Sequence, residues 1–182
     1  MRTFIAIDLP LSIKTELEKI QEDFKKCNLS FKWVKPENTH LTLKFLGNTS
    51  DEQLDKIKKI ITKVSQSFSV FEARFIEFGF FPNERRPRVF FISTSGEDLL
   101  KAIADLLEEE LAKIGFKPEG RFKSHITLAR IKTLENVDCL KRKIKQVKIS
   151  EKFPVKEITL FKSTLTRGGP IYEKIFKSNL AN

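Results

Sequence analysis

Hydrophobic positions along this chain change period several times, and each change marks an element. Residues 3–9 form a nearly continuous apolar run closed by Pro10, the pattern of a buried strand. Ile13, Leu17, Ile20, Phe24 and Cys27 then recur at intervals of four and three, one stripe of an amphipathic helix. Residues 31–34 and 39–46 read as strands separated by Pro36, Glu37 and Asn38. Ser50 and Gln53 have the spacing of a capping box opening a second helix, with the stripe Leu54, Ile57, Ile60, Val64 and Phe68. Phe71, Ala73 and Phe75 alternate as one buried face. The apolar set then slips by one residue to Ile76, Phe78 and Phe80, which predicts a bulge.

The proline-bracketed segment 82–88 is the clearest internal boundary. Beyond it the pattern predicts a strand at 88–94, a helix at 97–114 stopped by Gly115, a strand at 125–131 and a short helix around 137–147. Strands at 154–166 and 171–177 follow, joined by a tight loop at 166–170. The order of elements repeats: a shift of 85 residues brings His40 onto His125, Thr42 onto Thr127 and Leu43 onto Leu128. These repeats, roughly 3–81 and 88–166, predict one α+β domain over 1–182. It has two pseudo-symmetric lobes, each with an antiparallel sheet and two helices, intertwined or side by side.

The only two histidines open the same tetrapeptide, His40-Leu41-Thr42-Leu43 and His125-Ile126-Thr127-Leu128. On a strand, positions i and i+2 share a face. Each motif therefore presents an imidazole and a hydroxyl to one side while its aliphatic residues face the core. Phe45, by parity with Leu43, is assigned to the core. Two imidazoles and two hydroxyls meeting in a cleft suit a phosphodiester: one neutral ring accepts a proton, one charged ring donates one, and the hydroxyls hold the phosphate oxygens. No metal or other cofactor is needed. The rival use of the histidines is a zinc site completed by Glu37 or Glu119, although the chain has no His-Glu-x-x-His helix.

Composition fits a soluble globular chain: 40% apolar, 32% charged, with 17 Phe among 182 residues. No apolar run reaches the ~20 residues of a membrane span. With no signal-peptide core, the expected setting is the cytoplasm. Cys27 and Cys139 form neither a disulfide framework nor a metal cluster and read as two small buried hydrophobes. The net charge of +10 suits a polyanionic partner. Ten Lys or Arg against three acidic residues fall between 117 and 148, which reads either as a basic rim beside the second motif or, for Lys141, Arg142, Lys143 and Lys145, as a solvated helix face. The 97–114 helix carries six acidic and two basic residues and is expected to face away from a polyanion.

The segment Trp33-Val34…Asn38-Thr39-His40-Leu41-Thr42-Leu43-Lys44-Phe45-Leu46-Gly47 resembles the two-histidine (2H) phosphoesterase superfamily, and within it the RNA 2′,3′-cyclic phosphodiesterases, historically called 2′-5′ RNA ligases. Phe4-Ile5-Ala6-Ile7, His125-Ile126-Thr127-Leu128-Ala129-Arg130 and Ser163-Thr164-Leu165…Gly169-Pro170-Ile171-Tyr172 extend the resemblance across the chain. It implies an active-site cleft between the lobes and opening of a 2′,3′-cyclic phosphate at an RNA end to a 2′-phosphate. His40 would be the proton donor, His125 the proton acceptor, and Thr42 and Thr127 the phosphate holders. Slow reverse joining through 2′-5′ linkages is implied as well. Relatives often carry Pro where this chain has Ser124. Arg130 matches a family position near the site, and Phe122 and Tyr172 are candidates for substrate contact, as stacking platforms for a terminal base. The expected partner is RNA with 2′,3′-cyclic phosphate ends, tRNA fragments among them, bound by a monomer. An RNA-end-binding module without turnover and a small cyclic-nucleotide phosphodiesterase are the alternatives.

Overall fold

The structure, a computed structural model, describes residues 1–182. Its elements, in chain order, are β1 (Arg2–Asp8), α1 (Leu11–Lys25), β2 (Phe31–Trp33), a 3₁₀ turn (Pro36–Asn38), β3 (His40–Asn48), α2 (Asp51–Ser65), β4 (Phe71–Phe81), β5 (Val89–Thr94), α3 (Glu97–Ala112), β6 (His125–Ile131), α4 (Val137–Ile144), β7 (Lys152–Val155), β8 (Glu157–Thr166) and β9 (Gly169–Asn179). The capping box forms: Ser50 Oγ accepts from the Gln53 amide at 3.2 Å, and the Ser50 amide donates to Gln53 Oε1 at 3.0 Å. Ile61, not Ile60, completes the buried stripe of α2, because the 3.6-residue period drifts one position over three turns. The β4 bulge is present, with Phe75 opposite Thr94 but Phe78 opposite Ile92. The predicted 154–166 strand is two strands, since Lys156 separates β7, paired with β4, from β8, paired with β1.

The sheet runs β7-β4-β5-β6-β3-β1-β8-β9, with β2 also on β6. Two antiparallel half-sheets, β3-β1-β8-β9 and β6-β5-β4-β7, meet through the single pair Leu41–Ile126. These two residues are themselves 85 apart, so the pseudo-two-fold axis passes between them.

The halves of the chain exchange elements across that axis. β4, from the first repeat, pairs with β5 in the second lobe, and β8, from the second repeat, pairs with β1 in the first. Helices cross over too. Phe24 of α1 packs edge-on against Phe78 and Phe90 of the second half-sheet, at 5.1 and 5.3 Å, whereas Glu108 of α3 pairs with Lys44 on β3. The 82–88 segment is therefore the connection of the β4–β5 hairpin and not a boundary between lobes. One cluster of 33 buried apolar residues spans both half-sheets, so the lobes share an interior.

The cysteines depart from expectation: Cys27 and Cys139 form a disulfide, with Cα atoms 5.7 Å apart and 112 residues between them in sequence. It joins the second residue after α1 to the first turn of α4, and a Lys143–Asp23 ion pair of 2.9 Å links the same two helices. Only Leu140 of α4 is buried, so this short helix gains much of its anchorage from the covalent link. Cross-linking so long a loop lowers the entropy of the unfolded chain, typically by ~2–4 kcal/mol in free energy. Cys139→Ser should therefore lower Tm by roughly 5–15 °C. Reductant should reproduce the shift in the native chain and leave the variant unchanged, as calorimetry can test.

Candidate active site between the half-sheets

Alternation on β3 and β6 sends Leu41, Leu43, Ile126 and Leu128 into the core and leaves His40, Thr42, His125 and Thr127 half-buried on the opposite face. Because the strands are antiparallel and meet at Leu41–Ile126, that register sets His40 level with Thr127 and Thr42 level with His125. All four predicted residues thus converge on the axis.

Each strand then carries a bulge. Ile5 faces Lys44 and Ala6 faces Thr42, leaving Leu43 unmatched; Phe90 faces Ala129 and Phe91 faces Thr127, leaving Leu128 unmatched. The two extra residues are again 85 apart. Parity inverts beyond them. Lys44 and Ala129 turn inward, and Phe45 and Arg130 turn outward onto the cleft face. The assignment of Phe45 to the core is therefore incorrect: it is 54% exposed, while Lys44 is 1% exposed. Buried Lys44 is held by Glu108 at 2.8 Å and the Lys117 carbonyl at 2.8 Å, which supply the partners a buried ammonium requires.

The imidazoles are fixed in the same way. Nδ1 of His40 donates to the Asn38 carbonyl at 2.7 Å, and Nδ1 of His125 donates to the Lys123 carbonyl, also at 2.7 Å. A carbonyl only accepts, so each ring carries its proton on Nδ1 and keeps Nε2 for chemistry. The Asn38 side chain donates to the Pro170 carbonyl at 2.8 Å, tying the turn before His40 to the tip of the β8–β9 hairpin. Thr39 and Ser124, which precede the two histidines, are buried and bond to Pro36 and Thr94 respectively. Ser124 thus has a structural partner on β5.

Aromatic rings wall both imidazoles. Phe4, Tyr172 and Phe161 lie 4.8, 5.3 and 6.1 Å from His40, and Phe81 and Phe91 lie 4.8 and 5.5 Å from His125. Phe91 can lie flat on β4 because its partner there is Gly79; a Cβ at that position would come within 2.5 Å of the ring. Burial among these rings pushes the His40 pKa down to about 4. The Asn38 carbonyl and Asp8 oppose the shift, and Lys14 and His125 assist it. Burial also lowers His125, with the Lys123 carbonyl opposing and the Lys123 charge assisting. The charge of His125 is among the influences on His40, which ties the two rings to one electrostatic site. Asp8, level with His40 in the β1–β3 register, is clasped by Lys14 at 2.8 Å and Lys174 at 2.5 Å.

The remaining candidates divide between two flanks. A groove of about 730 Å³ beside Thr42 and His125 contains Phe122, together with Phe45, Arg121 and Lys123. Tyr172 lies instead over His40. Burial raises its phenol pKa, while the charges of Arg130 and Arg2 pull the other way, which places Arg130 on the Tyr172 side. Contrary to expectation, α3 borders the groove through Lys101, Asp105 and Glu108. Of the basic segment 117–148, the groove takes only Arg121 and Lys123. Leu140 enters the shared core, so α4 and its lysines pack behind the sheet, on the face opposite the histidines. Glu119 accepts from the Phe45 amide at 3.4 Å, and no group of three or more His, Cys, Asp or Glu side chains is arranged to hold a metal. No helix is long and apolar enough to cross a membrane.

Comparison with known proteins fits this architecture. The model of the LigT-like phosphoesterases matches twice, over residues 7–91 and 92–172. An RNA 2′,3′-cyclic phosphodiesterase of Methanocaldococcus jannaschii is 38% identical over 96% of this chain and 98% of its own, and one of Archaeoglobus fulgidus is 35% identical over 96% and 98%. A crystal structure of a Thermus thermophilus protein superposes with a TM-score of 0.81 at 28% identity, covering 99% of this chain and 98% of that one. With two tandem matches that place one histidine motif in each, the chain belongs to the LigT-like phosphoesterase family.

Proposed function

We propose that this chain opens 2′,3′-cyclic phosphate ends of RNA to 2′-phosphomonoesters, using His125 as proton acceptor and His40 as proton donor. The observation that carries the reading is the symmetric pair of imidazoles, each locked through Nδ1 so that Nε2 is the reactive nitrogen. The names of the M. jannaschii and A. fulgidus relatives support the substrate class.

In this scheme water attacks phosphorus in line with the P–O3′ bond and passes its proton to Nε2 of His125. The P–O3′ bond breaks, and Nε2–H of His40 protonates the departing oxygen. Thr42 and Thr127 donate to the non-bridging oxygens. No step draws on a metal. The free protein keeps His40 neutral, so its proton arrives with the anionic phosphodiester, whose charge favours the imidazolium. A ribose 5′-hydroxyl attacking in place of water, with the same P–O3′ bond breaking and the same two proton transfers, would leave a 2′-5′ linkage. We further read the protein as a cytoplasmic monomer acting on ends such as those of tRNA fragments.

His40→Ala or His125→Ala should each reduce turnover of an oligonucleotide ending in a 2′,3′-cyclic phosphate by ~10²–10⁴. Thermal melting should confirm that each variant folds, and phosphorus NMR should place the native product's phosphate on O2′. Substantially unchanged turnover in either variant would exclude the two-imidazole scheme, and tight binding without turnover by the native chain would favour the binding-module alternative. Activity requires one charged and one neutral imidazole. Both rings titrate below 6.5, His40 at about 4. The bell of kcat/KM should therefore peak on the acid side of pH 6.5, whichever ring holds the proton. The basic limb of kcat should lie at higher pH, because bound phosphate stabilises the charged ring. A kcat/KM still rising above pH 7 would contradict this assignment.

A further inference from the structure

We infer that the RNA chain leading to the cyclic end crosses the Tyr172 flank of the cleft, and that Lys32 on edge strand β2 holds a backbone phosphate there and so favours oligonucleotides over cyclic mononucleotides. The inference rests on the function proposed above. In-line displacement puts the attacking water on the His125 side of phosphorus, and O3′ with its ribose on the His40 side. The 5′ chain continues from that ribose, so it leaves over the flank that His40 shares with Tyr172 and Arg130.

The two flanks are related by the pseudo-two-fold axis yet differ in charge. Beside His125, Lys101 pairs with Asp105, Glu108 is taken by Lys44, and Glu119 shares the groove with Arg121 and Lys123. On the other flank, Arg130 reaches the cleft face through the Leu128 bulge, and Lys32 pairs with it in the β2–β6 register. Direct antiparallel partners project from the same face. Phe31 and Trp33 pack on the core while Lys32 between them is exposed, so Lys32 extends the cationic row outward from Arg130. Arg2 lies two residues before Phe4 on β1, and the Phe4 ring sits 4.9 Å from Tyr172. Arg2, Lys32 and Arg130 take part in none of the ion pairs of the fold, whereas Asp8 on this flank is already neutralised by Lys14 and Lys174. The adjacent unpaired cations Lys32 and Arg130, on the flank of an aromatic ring, match a single-stranded backbone whose terminal base stacks.

The test compares a short oligonucleotide bearing a 2′,3′-cyclic phosphate with a nucleoside 2′,3′-cyclic phosphate, which has no upstream phosphate. Lys32→Ala and Lys32→Glu should raise KM for the oligonucleotide, by about tenfold for the charge reversal. Each should flatten its salt dependence by about 0.7 in log–log slope, the value of one single-strand phosphate contact. Hydrolysis of the mononucleotide should stay unchanged, and Lys32→Gln should resemble Lys32→Ala. Arg121→Glu, on the opposite flank, should affect the oligonucleotide less than Lys32→Glu does. An oligonucleotide KM indifferent to Lys32 but sensitive to Arg121, or equal losses on both substrates, would overturn the inference. A native protein that opens neither substrate would instead overturn the function on which it rests.

Discussion

A single cross-strand contact, Leu41 against Ile126, joins the two halves of this molecule's sheet. Both residues are buried, so the pair is fixed by the core behind it rather than by anything in the cleft. Because side chains alternate along a strand, burying 41 and 126 obliges 40, 42, 125 and 127 to face the other way. A slip of one residue in this register would carry both histidines inside. The core thus specifies the site, and these four side chains need no contact with one another to be brought together.

Exchange of β4, β8, α1 and α3 between the repeats reinforces that arrangement. Gln21, on a helix from the first half of the chain, donates to the carbonyl of the bulged Leu128 at 3.0 Å, and Glu108, on a helix from the second half, neutralises Lys44 beyond the bulged Leu43. Each irregularity in a histidine strand is therefore propped by the other repeat. The bulges deliver Phe45 and Arg130 to the cleft while the histidines stay in register. Pseudo-symmetry fixes the positions of the reactive groups, and the departures from it, in aromatic walls and in flank charge, distinguish the two imidazoles.

Those walls also govern the protonation chemistry. Rings packed around His40 and His125 remove water and favour the neutral imidazoles, while the carbonyl on each Nδ1 keeps the tautomer that leaves Nε2 available. Asp8 supplies a negative charge near His40, tempered by Lys14 and Lys174. In the free site both imidazoles are thus held toward the neutral form, and a bound anion would favour the charged one.

The sequence alone determined the element order apart from the β7–β8 break, the 85-residue repeat, the capping box and the shared face of His40, Thr42, His125 and Thr127, because these follow from local periodicity and from i, i+2 alternation. It could not place Phe45, since a bulge between β1 and β3 depends on a neighbouring strand. It could not reveal the Cys27–Cys139 bond, because residues 112 apart meet only when α1 is delivered to the other lobe. Nor could it separate the lysines of α4, which lie behind the sheet, from Arg121, Lys123 and Arg130. Charge content is set by residue type, but the face of the sheet on which a charge emerges is set by what the core buries behind it.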